Sequence, residues 1–245
     1  MSSTLSPTHR ENGNIFFIIL VAVALFAALG FAITQGMRGS SASVSKEQSQ
    51  LYASELITFA KSLESAVQRL QARGVSENDL CFDIDDYPGG DTMYEHASCA
   101  NTRNRVFHPD GGGIFYKAFT GQDGFSIASE RINGGNKVEN VGTTCGPAAC
   151  TELLYVVRMN DTAEGSLEIC NAINAELGIV ASAPPIDTAI NTAHAFTGTF
   201  NATAAGTTIA DSGQAPELLG KKTGCIQETT GGGDDYVFYH ALIAR

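Results

Sequence analysis

The chain has 245 residues, 43% hydrophobic and only 17% charged, and its 26 acidic against 15 basic side chains leave a formal net charge of -11. That sign, with no cluster of Lys and Arg to offset it, argues against nucleic acid or anionic lipid surfaces as partners. Gly is plentiful and Trp absent, a look common among loop-rich, secreted bacterial surface proteins.

The first strong feature in chain order is RENGNIFFIILVAVALFAALGFAITQG, residues 10–36. Every residue from 15 to 33 is apolar or Gly, and no charge falls between Glu11 and Arg38. As a helix rising about 1.5 Å per residue, this run matches the roughly 30 Å of a bilayer core. It has no polar stripe, so it does not read as the amphipathic helix of a soluble core. The pattern predicts a transmembrane or assembly helix over 14–37 behind a polar leader, 1–13. A signal peptide cut near 40–45 is the competing reading, although signal peptides have a shorter apolar region of about 7–15 residues. Arg10 before the run and Arg38 and Lys46 after it leave the orientation open.

Residues 38–74 read as a short linker containing Gly39, then a second, amphipathic helix capped at Ser45 with Gln48 reaching back. Leu51, Leu56, Phe59, Ala60, Leu63, Val67 and Leu70 form one stripe at three- and four-residue spacing. Lys46, Glu55, Lys61, Glu64 and Arg69 fill the other faces. Arg73 and Gly74 make a conventional stop. Beyond it, 111–121 and 124–132 read as strands, with NGGN at 133–136 as a hairpin turn. The strongest strand lies at 151–159. A shorter helix is expected over 163–177, opened by Asp161 and Glu164 and stopped by Gly178, and a terminal strand over 236–244. Together these predict an α+β fold: a transmembrane helix continuing into a long amphipathic helix packed on an antiparallel sheet, with a disulfide-bonded head over 75–245.

The disulfide expectation comes from the cysteines. All six fall after residue 80: Cys81, Cys99, Cys145, Cys150, Cys170 and Cys225. None sits in C-x-x-C, and the single H-x-x-C at His96 and Cys99 lacks a second half, so zinc spacing is missing. A disulfide framework in an oxidising compartment is the better reading, which places the head outside the cytoplasm.

A polar leader ending in Gly, an uninterrupted apolar helix, an amphipathic continuation and a β-rich, disulfide-bracketed head resemble a type IV pilin or pseudopilin. The resemblance implies removal of the leader by a prepilin peptidase between Gly13 and Asn14. It also likens Cys170 and Cys225 to the cysteines enclosing the late variable region of larger pilins. The set joining neighbours in sequence is expected: Cys81–Cys99, Cys145–Cys150 and Cys170–Cys225. Three departures stand out. Ile18 occupies the fifth mature position, where the family usually has Glu, and both the aromatic first residue and the helix-loosening Pro are missing. Loss of that Glu fits minor, tip-located members better than major subunits.

No G-x-S-x-G, Walker loop, Rossmann fingerprint or H-E-x-x-H is present, so no enzyme is expected. The five histidines are scattered, and His240 reads as the solvent-facing residue of the last strand. Asp83, Asp85, Asp86, Asp91 and Glu95 surround a Pro-Gly-Gly turn and could offer oxygen ligands to calcium, at a spacing that fits no known loop. Asp234 and Asp235 form a second such turn. No cofactor is otherwise implied. The expected function is a structural subunit, pilin-like and minor, of a pilus or pseudopilus serving secretion, motility or adhesion. Its partners would be further copies or other pilin-like subunits through the apolar helix, with the inner membrane as host before assembly. Its head would lie in the periplasm or on an extracellular filament. The alternative is a membrane-tethered periplasmic binding or scaffold protein that builds no filament. Intact mass of the protein isolated from cells is expected to place the mature N-terminus at Asn14; a start near residue 40 would instead mean a discarded signal peptide.

Overall fold

A computed structural model describes residues 15–84, 94–119, 127–142, 151–160, 165–187, 194–200, 208–210, 213–229 and 235–245. The chain divides into two compact units, Met1–Lys46 and Glu47–Arg245. Helix α1, Ile15–Ala72, is 58 residues long. The expected break at 38–45 is therefore absent, and Ser45 lies within the helix rather than at its start. Gly36 and Gly39 each cost about 1 kcal/mol against Ala in a helix, but no Pro interrupts the run.

In the first unit, α1 leaves large apolar side chains in the open. Ile19, Leu20, Val21, Val23, Leu25 and Phe26 are all exposed, Phe26 at 75%. Among the described residues no helix is long and apolar enough to cross a membrane. The side chains described within the apolar run are those of 19–26, short of the roughly 20 residues that a span requires.

The second unit is an α+β fold with two disulfides in the described residues. Its strands are β1 (Ile127–Val138), β2 (Glu152–Met159), β3 (Ile186–Asp187), β4 (Thr208–Ile209), β5 (Thr223–Glu228) and β6 (Asp235–Ile243). They form one sheet in the order β3-β5-β6-β2-β1-β4. The four long strands pair antiparallel, while the two-residue β3 and β4 join the edges in parallel. Alternation then sorts the side chains. Ile132, Tyr155, Val157 and Phe238 face one way and meet Leu56, Phe59, Ala60, Leu63, Val67 and Leu70 of α1 in one core. Leu154, Val156, Ile226, Val237 and Tyr239 face the other way into a second core, closed by Val138, Ile179, Ile209 and Leu218.

The α1 stripe follows the sequence spacing, widened by Ala53, Ile57 and Ala66; Leu51, expected within it, is 65% exposed. The helix ends as expected. Gly74 takes φ +90°, Gly74 N–H donates to Gln71 O, and Val75 N–H reaches back to Leu70 O. That is a Schellman closure, with Val75 packed onto the core.

Three expectations change. Residues 111–119 form no strand. NGGN is not a hairpin turn but an irregular stretch inside β1, with a register shift between Asn133 and Asn136. Its glycines make room for a crossing segment: a Cβ on Gly134 would sit 2.9 Å from Phe196 Cδ2, and one on Gly135 would sit 3.1 Å from His194 Cβ. The second helix, α2, is Ser166–Glu176. It begins after Gly165 rather than at 163, and Asp161 and Glu164 lie outside the described residues.

Leu63 is buried at the centre of the helix–sheet core. Truncating such a side chain costs about 2–5 kcal/mol, and a buried charge adds to that. In the isolated unit 47–245, Leu63→Asp is expected to abolish cooperative thermal unfolding. Ser65→Lys, on the exposed face, should shift stability by no more than about 0.5 kcal/mol. Similar melting curves for the two would refute the packing.

Candidate functional site

The predicted site residues come apart into separate places. Cys81–Cys99 and Cys170–Cys225 are both bonded, closing sequence separations of 18 and 55. By loop entropy the longer bridge contributes about 4 kcal/mol. Gly13, Asn14, Cys145, Cys150, Asp85, Asp86, Asp91 and Asp234 lie outside the described residues. His96 does gather with Cys81 and Cys99, their ligand atoms within 4.8 Å. The two sulfurs are bonded to each other, however, and His96 Nε2 lies 3.0 Å from Leu80 O, so no thiolate is on offer.

Of the described acidic candidates, Glu95 is exposed, while Asp83 and Asp235 already have partners. Asp83 is buried, with Oδ2 3.9 Å from Arg105 Nη2 and Oδ1 accepting from Ile84 N–H at 3.0 Å. Asp235 accepts from Arg158 Nη1 at 2.9 Å, and the same guanidinium pairs with Glu228. Two carboxylates from β5 and β6 thus close on one Arg from β2.

His240 is the largest correction. It is buried, because it shares its sheet face with Tyr155 and Phe238, and that face lies against α1. Its Nε2 lies 3.2 Å from Glu64 Oε2 and its Nδ1 2.6 Å from Thr223 Oγ1. Lys222 also approaches Glu64, at 3.7 Å. Burial lowers the imidazole pKa, and the Glu64 carboxylate opposes that only in part. A carboxylate, a neutral imidazole and a hydroxyl in line are the parts of a nucleophilic triad. Neither His240 nor Thr223 lines the grooves beside α1 or the small cavity beneath it, so the hydroxyl faces no substrate site there. What the row does is tie α1 to β5 and β6. The sequence could not reveal it, since Glu64 and His240 are 176 positions apart.

Among the described residues of this unit, two grooves stand out. One, of about 820 Å³, runs between the C-terminal end of α1 and the segments on either side of the Cys81–Cys99 loop, lined by Arg73, Asp79, Asn101, Arg103, Asn104 and Asp110. Arg73 Nη1 donates to Gly111 O at 2.9 Å, and Asp79 accepts from Ser98 and Ser76, which lowers its pKa. The other, about 450 Å³, lies along α1 between Leu51, Ser54, Thr58, Phe59 and Lys117.

Glu152 is the strained member of the set. It is fully buried at the start of β2, Oε2 accepts from Val138 N–H at 2.8 Å, and Oε1 has no hydrogen-bond partner among the described residues. Desolvation pushes its pKa from 4.5 up to about 7. The folded state therefore holds a proton that the unfolded chain releases, so the stabilisation is complete below 4.5 and is lost as pH rises through 7. Glu152→Gln mimics the protonated acid. Urea unfolding should find it within about 1 kcal/mol of the parent at pH 5 and roughly 1–3 kcal/mol more stable at pH 8.5. An unchanged difference between the two pH values would refute the assignment. No protein-family model, curated protein or solved structure matches this chain.

Proposed function

We propose that the chain is a pilin-like structural subunit, which assembles with copies of itself or with related subunits through the apolar part of α1. The observation that carries the reading is the row of exposed Ile19, Leu20, Val21, Val23, Leu25 and Phe26 on one helix. Six large apolar side chains in water are costly, at about 25 cal/mol per Å² of surface that could be buried. Two environments remove that cost, a bilayer before assembly and neighbouring helices afterwards. The uncharged sequence from 15 to 33 suits both. The disulfides support residence of the head in the periplasm or outside the cell. A leader ending at Gly13 supports processing by a prepilin peptidase, and Ile18 in place of the usual Glu supports a minor rather than a major role.

A charge inside the apolar run tests this reading. In the full chain expressed in cells, Phe26→Asp is expected to remove the protein from the sedimentable material released by shearing. Ser65→Lys should leave that fraction unchanged. If the unmodified protein stays in the membrane fraction as a monomer and is never released, the tethered binding or scaffold protein is the correct reading instead.

A further inference from the structure

A small cavity of about 40 Å³ lies under α1, at the junction of the helix and the sheet, and half of its lining is aromatic: Phe59, Tyr94, Phe107, Tyr116 and Tyr155. One carboxylate, Glu130 of β1, enters it. Its Oε1 accepts from Tyr155 Oη at 2.5 Å, and its Oε2 accepts from Tyr116 Oη and from Phe119 N–H, both at 3.4 Å. All three donors are neutral. Arg131 also borders the cavity, but strand alternation turns its side chain to the other face. The lysine nearest in sequence to this lining, Lys117, is already paired with Glu55 of α1. Glu130 is thus a half-buried carboxylate answered by neutral donors, with no cation paired to it among the described residues, a charge that a cationic ligand would balance.

We propose that this cavity is a binding site for a primary alkylammonium group, held by the Glu130 carboxylate and the faces of the surrounding rings. The rings are already arranged edge to face, with Phe107 and Tyr116 5.4 Å apart and Phe59 and Tyr155 5.7 Å apart, so the lining is rigid before any ligand arrives. Aromatic walls attract cations through the ring quadrupole and cannot coordinate a hard metal, which requires about six oxygen ligands. The volume selects among organic cations. A cavity of about 150 Å³ accepts benzene, so one of 40 Å³ takes a methylammonium-sized head and excludes a quaternary one. Such a head comes from a free amine or from the tip of a lysine side chain.

Ligand-observed NMR on the full chain in detergent tests the site with methylammonium chloride as the probe. Saturable binding is expected with a dissociation constant on the order of 10 mM, near the ceiling for so few heavy atoms. Tetramethylammonium, potassium and ethanol should not compete. Competition by Nα-acetyl-lysine methylamide would identify a lysine tip as the source, and its failure beside methylammonium binding would identify a free amine. Glu130→Gln should weaken binding at least 10-fold with little change in melting temperature. If that variant does not fold, Phe107→Leu keeps the bulk and removes one ring, and should weaken binding roughly 2- to 10-fold. Absence of saturable binding, equal competition by potassium or ethanol, or undiminished affinity in a folded variant would each overturn the site.

Discussion

The second unit depends on the burial of one helical stripe against one face of one sheet. Phe59 stands edge to face with Tyr155 at 5.7 Å, and Tyr155 with Phe238 at 6.2 Å, so a line of rings runs from α1 through β2 to β6. Each ring buries a large apolar area, and the edge-to-face arrangement adds about 0.5–1.5 kcal/mol per pair beyond that. The two central strands are brought together by residues far apart in the chain. Without the helix, the sheet face bearing Ile132, Tyr155, Val157 and Phe238 would keep only the α2 and loop residues of the same core against it.

Polar groups are admitted to this interface only where they can be answered from another element. Glu64 of α1 meets His240 of β6, which meets Thr223 of β5; Glu130 of β1 meets Tyr155 of β2. Buried ion pairs and hydrogen-bonded carboxylates gain little net stability, but their misalignment costs several kcal/mol. They therefore fix the register of helix on sheet more than they strengthen it. Glu152 shows the contrary case, a buried oxygen with no partner among the described residues that turns the cost into dependence on pH.

The edge of the sheet is handled by the same economy. Asn174 of α2 donates to Cys225 O at 2.8 Å and accepts from Cys225 N–H at 2.9 Å, so one amide side chain stands in for a neighbouring strand. The Cys170–Cys225 bridge holds α2 in place while it does so. An open strand edge would otherwise be a template for pairing with other chains. In a protein proposed to assemble through its helix, that keeps the sheet from assembling instead.

Much of this was legible in the sequence wherever the physics is local. The stripe from Leu56 to Leu70 follows from a period of 3.6, the β2 and β6 strands from β-branched and aromatic runs, and the Gly74 stop from backbone freedom at positive φ. The neighbour pairing of cysteines is seen in the two described bridges. Other readings failed because they depended on what lies across from a residue. His240 looked solvent-facing because it is polar within an apolar strand, yet alternation puts it on the same face as Phe238, against α1, where Glu64 answers it. NGGN looked like a turn because its glycines permit one, whereas here they admit Phe196 and His194 from a segment some 60 positions away. The gathering of Glu130 with Tyr116 and Tyr155 had a faint signal, an acidic residue in phase with Ile132, but no period in the sequence can name its partners. By itself the sequence determined which segments are apolar and where the α1 stripe and the β2 and β6 strands lie, because those are set within a few residues. Only the tertiary structure decided which polar groups are buried and what they touch, because those contacts span up to 176 positions and exist only after the core has closed.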